Sequence, residues 1–523
     1  MSTAAREPLL GSLPLAGLLI PPLVGTTLWS SNMHKVPYED AVPVLLALTA
    51  IAVAALVALR LILRDWTRAG LILAIAAAYL LYAGPVASAL SPSPWIRLPV
   101  LAAAGVAAML LALRIPRERA ARLDISRKLN FIVLSIALVT GGSALAKQAS
   151  LEPNRPDPAS VFPTFAGRAD ETSPDVWHII LDRYANSETL QRVYGYDNSP
   201  FLQALRERGF AVRESAFSNY QRTSHSVAST LNGAYLDPLS EPMANQQTDL
   251  VPIYRSMTDN AALRFFNAQG YETVFAGSWW NPTRQSRLAH RNVNFRAIPE
   301  LGRAALDQSL VGQAMTALHI PYGDGRADQC FRAHAKFAAL RELARSNGRK
   351  YVFGHFLVPH PPFVLKADGS CRSLAEAERT SRRENYVHQV RYVNLEMLRL
   401  IDAIAAGPRP AIIVLHADEG PWPARYAGDE RFLGTDTTPV KWHKVHNPEL
   451  KEKLGILMAV RAPGGSERDL AASPVNIYPT ILHNHFHGPA PNLRDRNILF
   501  ASNQALYRFK DVTDEVAGPA TAH

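Results

Sequence analysis

The run VWHIIL leads into Asp182, FGHFLVP into His360, and AIIVLHA into the pair Asp418–Glu419. Asp182, His360 and the pair Asp418–Glu419 thus each stand directly after an apolar run of strand length. One acid after one strand would mean little, because acids commonly cap the helix that follows. Three polar strand ends suggest a site. Thr223 adds a hydroxyl in TSHSVAS, where a strand leading to an aromatic gives way to a helix of small residues. A helix N-terminus offers backbone N–H groups and the positive end of a dipole, so an anion beside Thr223 is favoured. The plainer alternative makes Thr223 or Ser224 only the N-cap. His225 and His355 lie beside these groups; His355, inside an apolar run, reads more readily as a core histidine. His416 directly precedes the acidic pair's strand end and reads as a supporting residue. Trp279, with Trp280 and Asn281 in FAGSWWNP, follows another strand end; it either lines the substrate side or packs at the rim.

Short apolar runs alternate with amphipathic stretches from about residue 175, which predicts an α/β domain with a mostly parallel sheet between helices. Strands are expected at 176–181, 272–276, 351–357, 411–415 and 455–460, and helices at 200–207, 333–346 and 384–405. In such a sheet the crevice outside the carboxyl ends of the strands is where ligands bind. The only two cysteines, Cys330 and Cys371, lie in polar segments of this domain, where an oxidising compartment permits a disulfide. HNHFHG, with His483, His485 and His487, resembles a metal tract in composition but reads as a helix end.

The first third differs in kind. Stretches 13–29, 41–59, 69–90, 98–113 and 129–146 contain no Asp, Glu, Lys or Arg. A spanning helix needs ~20 apolar residues, so five spans are expected, with the fourth stretch marginal. One cleaved signal segment would not account for four more behind it. Ten basic residues (Arg6, Arg60, Arg64, Arg68, Arg114, Arg117, Arg119, Arg122, Arg127, Lys128) fall on loops of one side, against Lys35, Arg97 and Lys147 on the other. That bias predicts a cytoplasmic N-terminus and a C-terminal domain outside the cytoplasm. Residues 1–150 carry net +7 of the total +10, so the basic pI is no argument for nucleic acid. The expected organisation is a transmembrane domain at 1–147, a Pro-rich linker at 148–175, a catalytic domain at 176–510 and a frayed tail at 511–523.

Thr223-Ser-His-Ser-Val-Ala-Ser-Thr-Leu-Asn-Gly233 is similar in spacing to the sulfatase signature Cys-x-Pro-Ser-Arg-x(4)-Thr-Gly. LDRYAN resembles the first metal-ligand strand end of the alkaline phosphatase superfamily, and HADEGP its Asp-His-Gly motif, with Glu419 in the His position. VPHPPF is similar to its Pro-His-x-Pro element and SPVNIYPTIL to its Asp-Ile-x-Pro-Thr-x-Leu helix. Together with the spans, the chain resembles the superfamily's sulfatase-like membrane branch, which includes lipoteichoic acid synthases and phosphoethanolamine transferases.

That resemblance implies one divalent cation held by Asp182, Asp418, Glu419 and Thr223, with Thr223 as the nucleophile that becomes a covalent phospho-ester. His360 would contact phosphate oxygens or the leaving group, and either His443 or His446 of KWHKVH would serve as a later substrate-binding histidine. Glu419 in place of His leaves no nitrogen ligand, and all-oxygen ligation favours Mn2+, with Mg2+ or Ca2+ next and Zn2+ less suited. Thr223, where sulfatases need Cys or Ser, argues for phosphoryl transfer over sulfate-ester hydrolysis. The expected protein sits in the inner membrane and moves a phosphoethanolamine- or phosphoglycerol-type headgroup from a lipid donor to an envelope glycan or lipid. The rival readings are a membrane-anchored phosphomonoesterase, phosphodiesterase or sulfatase-like hydrolase, and a non-catalytic scaffold that keeps the fold.

Overall fold

The computed structural model describes residues 9–91, 93–295, 298–318, 320, 325–423 and 447–518. It divides into two compact units, Met1–Asn154 with Ile298–Tyr322, and Arg155–Ala297 with Gly323–His523. The first boundary therefore falls a few residues beyond the expected 147, and residues 298–322, counted above with the catalytic domain, belong to the first unit.

The first unit is built on α1 (Leu15–Asn32), α2 (Tyr38–Leu63), α3 (Trp66–Leu90), α4 (Pro94–Leu113) and α5 (Arg119–Leu151). Helices α2 to α5 are long and apolar enough to cross a membrane. Helix α1 is not among those four: Pro21 and Pro22 interrupt its apolar run and Ser30, Ser31 and Asn32 close it. It packs instead against α2, α3 and α5. Gly17 of α1 approaches α3 so closely that a Cβ would fall 2.8 Å from the Gly70 carbonyl oxygen. Small residues at such contacts let helix backbones meet in an apolar solvent. Buried Asn130 of α5 accepts from the Ala16 N–H (2.8 Å) and donates to the Leu10 and Leu13 carbonyls (2.7 and 2.6 Å). It thereby satisfies backbone groups that the chain frees just before α1 begins.

The second unit runs β1 (Asp175–Leu181), α6 (Ser199–Glu207), β2 (Ala211–Val212), β3 (Ala216–Phe217), α7 (Thr223–Asn232), β4 (Glu272–Ala276) and β5 (Arg291–Val293). Two helices, α8 (Glu300–Gln308) and α9 (Leu310–Ala317), follow in the first unit. The second unit resumes with α10 (Arg326–Ala344), β6 (Lys350–Phe356), α11 (Arg382–Ala405), β7 (Ala411–His416), α12 (Asn447–Leu454), β8 (Gly455–Ile456), β9 (Met458–Arg461) and α13 (Ile477–His485). The main sheet has the order β2-β9-β7-β1-β6-β4-β5, parallel from β7 to β5, with β9 antiparallel to β7. Strands β1, β6 and β7 are buried along their whole length, as parallel strands covered on both faces must be. The single strand expected at 455–460 is two, because β8 pairs with β3 and the Leu457 N–H turns to the Tyr184 carbonyl. The expected frayed tail is partly ordered: Val512 and Val516 are buried against Leu450 and Leu454, and Thr513–Ala517 is helical. Cys330 and Cys371 form a disulfide, with Cα atoms 5.7 Å apart.

Candidate active site

Strands β7, β1 and β6 are neighbours, and their register sets Ile180 between His416 on one side and His355 on the other. Side chains alternate along a strand, so Asp182, two residues past Ile180, lies on the face that carries both histidines. Asp182, His355 and Asp418 converge there, each offering a ligand atom within 4.8 Å of the others, and all three are buried. His355 Nε2 is 3.5 Å from Asp182 Oδ2. Burial and the nearby Asp182 push the Asp418 carboxyl up to about 6. Burial holds the His355 imidazole down to about 4, so the ring stays neutral and able to ligate. Its Nδ1 meets Thr283 Oγ1 at 2.9 Å, and Thr283 continues to Ser278 Oγ at 2.7 Å. An outer hydroxyl that takes the Nδ1–H leaves the Nε2 lone pair directed at the carboxylates. His355 Nε2 and Asp418 Oδ2 are buried without a hydrogen-bond partner among the described residues. Two acids, a neutral imidazole and unsatisfied ligand atoms fit a divalent cation.

Thr223 opens α7, but the N-cap is Arg222, so Thr223 is not spent on capping its own helix. Its hydroxyl lies on the Asp418 side, where it works against the upward push that burial exerts on that carboxyl. The helix is buried from Ser224 to Asn232 and closes on Gly233 at φ 53, where a Cβ would also fall 2.8 Å from Phe165 Cε1. A residue with a side chain would meet both a left-handed backbone and that ring, which is why glycine ends this helix.

Glu419, next to Asp418, is held through one of its oxygens by two buried cations. Its Oε1 accepts from Lys453 Nζ at 2.8 Å and from Arg183 Nε at 3.1 Å, all three side chains being buried. Its Oε2, like Asp418 Oδ2, is buried without a hydrogen-bond partner among the described residues, and His355 brings to the Asp182–His355–Asp418 group a nitrogen donor that the sequence reading lacked. The all-oxygen argument for Mn2+ therefore loses its premise. Arg183 also donates its backbone N–H to Asp418 Oδ1 (3.0 Å), at φ 61. Such a left-handed non-glycine residue is uncommon and stored where the surroundings demand it. His360 is half-buried, and burial with the neighbouring Arg183 holds its imidazole well below the usual range. Its Nδ1 meets the Pro361 carbonyl oxygen, which can only accept, so Nδ1 carries the proton and Nε2 presents a lone pair. Trp279 lines a shallow cleft with Arg332 and Lys336, whereas Trp280 is the indole that approaches the His355 ring, at 6.3 Å. His443 and His446 lie outside the described residues. His225 stacks on Phe500 and bonds to the Leu506 carbonyl, a core position.

Behind the site runs a buried chain whose polarity is forced. His416 Nδ1 meets the Ala417 carbonyl oxygen at 2.7 Å and so must donate, which makes Nε2 an acceptor. His178 Nε2, 2.7 Å away, is then the donor, and its Nδ1 accepts from the Tyr478 hydroxyl at 2.6 Å. Tyr478 in turn accepts from Tyr351. Replacing His178 by Phe leaves His416 Nε2 buried with no donor, and a loss of ~1–3 kcal/mol is expected in chemical denaturation. An unchanged midpoint would mean that the two histidines do not hold this directional bond.

The sulfatase family model matches residues 174–483, more than half of the chain. No curated protein matches it. Among solved structures, the C-terminal periplasmic domain of EptC from Escherichia coli is 12% identical, with 68% of this chain and 98% of that chain covered and a TM-score of 0.44. The integral membrane lipooligosaccharide phosphoethanolamine transferase A (EptA) from Neisseria meningitidis is 12% identical, with 91% and 96% covered and a TM-score of 0.36.

Proposed function

The chain belongs to the sulfatase family, within the alkaline phosphatase superfamily, and is an enzyme of sulfatase-like phosphotransferase or hydrolase type; from that premise we propose that it transfers a phospho-headgroup from a membrane lipid to an envelope glycan or lipid. The observation that carries this reading is Thr223 itself, a hydroxyl not used as a cap, placed at the start of a buried helix beside Asp418 and its two companion ligand groups. Threonine cannot become formylglycine, and a plain hydroxyl suits a phospho-ester intermediate. The Thr223 proton passes to Asp418 as Oγ bonds to phosphorus and the lipid oxygen–phosphorus bond breaks. The lipid alcohol leaves with a proton from solvent. His360 Nε2 then takes the proton of the acceptor hydroxyl, whose oxygen bonds to phosphorus as the bond to Thr223 Oγ breaks; Asp418 returns its proton to Oγ, and His360 releases its own to solvent. Asp182, His355 and Asp418 would hold a divalent cation, which when bound supplies Lewis-acid stabilisation of the charge that develops during transfer. A mixed nitrogen–oxygen donor set suits Zn2+ as well as Mn2+. Four apolar helices support an inner-membrane enzyme, and the arginine-rich loops between α2 and α3 and between α4 and α5 support a catalytic domain outside the cytoplasm.

The test is the intact mass of the full-length protein in detergent, after incubation with Zn2+ or Mn2+ and mixed phospholipids, beside Thr223→Ala. An adduct with the mass of a phospho-headgroup, absent from the variant, is the expected result and identifies the donor. Lipid turnover at the same rate with and without acceptor lipids would make the protein a hydrolase. Neither adduct nor turnover with metal bound would overturn both readings and leave the scaffold.

A further inference from the structure

The chain crosses between the two units three times, and the excursion of residues 298–322 has no counterpart in a simple anchor-plus-domain plan. Helix α8 packs against α1, α2 and α3, and α9 packs against α3. Leu301 of α8 is buried in one cluster with Trp29, Met33, Val36, Ala41, Val44 and Ala144. Those residues lie at the C-terminal ends of α1 and α5 and the N-terminal end of α2. Near the C-terminal end of α3, Gly84 meets the turn between α8 and α9: a Cβ there would fall 3.0 Å from the Gln308 carbonyl oxygen. All of these are the helix ends opposite the arginine-rich loops, hence the ends expected outside the cytoplasm.

Helix α9 differs from its partner in the pair. Helix α8 carries Glu300, Arg303 and Asp307, whereas residues 310–318 contain no acid or base. Val311 and Leu318, seven residues apart and so on one helical face, are 43% and 69% exposed, and Ile320 beyond them is 46% exposed. On the spans themselves, Val86 and Leu90 of α3, the helix on which α9 packs, and Val42 and Leu46 of α2 are likewise exposed. An uncharged helix with an apolar face, seated on the outer ends of spanning helices, fits the headgroup–acyl boundary better than water.

We propose that α9, with Leu318 and Ile320, is an interfacial anchor that lies in the outer leaflet and packs against phospholipid. The inference rests on the membrane-anchored reading but not on the transfer chemistry. The test uses the full-length protein in phosphatidylcholine vesicles, with a fluorophore on single added cysteines, the native pair being held in its disulfide. Val311→Cys and Leu318→Cys are compared with Leu46→Cys, exposed on a span, and Gln504→Cys, exposed on the second unit. The expected result is loss of fluorescence with bromine-labelled phosphatidylcholine at positions 311, 318 and 46, and with aqueous iodide only at 504. Iodide quenching at 311 and 318 like that at 504 would overturn the proposal, as would protection from both quenchers. Failure of bromolipid to reach position 46 would instead sink the membrane-anchored reading itself.

Discussion

Thr223→Ala is expected to lower turnover by about four to six orders of magnitude, the range for removing a nucleophile from a site whose parts act as a unit. Stability should barely change, because Arg222 and not Thr223 occupies the N-cap and the helix keeps its buried face and its closing glycine. The loss should fall on kcat more than on KM, since the hydroxyl acts on the reacting phosphorus and not on the rest of the substrate. Thr223→Ser keeps an oxygen on the same carbon and should retain a measurable part of the rate. Release of headgroup from labelled phospholipid measures the first effect, and thermal unfolding of the same preparations measures the second. Alanine activity above about one per cent of the wild type would remove Thr223 from the nucleophile's role, because binding and electrostatics alone leave far less.

The acids at the ends of β1 and β7 and the threonine at the start of α7 were legible because each follows a local pattern: an apolar run of strand length, then a polar group, or a strand giving way to small helical residues. Most of the strands were legible for the same reason, with β4 found at its observed bounds. His355 was not. It sits inside a fully buried strand, where its neighbours in sequence are all apolar, and only the pairing of Ile180 with His355 puts it beside Asp182. No periodicity reports which strands become neighbours. Glu419 was assigned to the cation because HADEGP sets it in the His position of the Asp-His-Gly motif it resembles. Its partners come from Lys453, in α12, and from Arg183, just past β1. The insertion at 298–322 was hidden for a related reason: α8 and α9 look like ordinary short helices of the α/β domain, and only Leu301's burial among Trp29, Met33 and Val44 reveals the other allegiance. What sequence could not supply was in each case a long-range contact between segments whose local patterns are unremarkable.

Glu419→Gln is expected to cost about 3–5 kcal/mol of stability, because it removes the carboxylate that the buried Lys453 and Arg183 share. Lys453 also lies 4.7 Å from the centre of the Trp422 ring, and a cation–π contact of ~0.5–2 kcal/mol does not replace a lost carboxylate. Metal affinity should stay within an order of magnitude, since Asp182, His355 and Asp418 remain. His355→Ala should behave in the opposite way. It removes a ligand, so affinity should fall by more than the ~10–100-fold typical of losing only an outer-shell partner. Its effect on folding of the metal-free protein should be the smaller of the two, because removing the buried Nε2, which has no hydrogen-bond partner among the described residues, offsets part of the cavity left behind. Calorimetric titration with Zn2+ and denaturant unfolding of metal-free samples separate these outcomes. Pairing Glu419→Gln with Lys453→Met completes a cycle in which part of the lost stability should return, since a buried ion pair replaced as a pair often costs little. If Glu419→Gln instead abolished Zn2+ uptake and left folding untouched, Glu419 would be a metal ligand after all, and Lys453 and Arg183 would be holding it in place for that purpose.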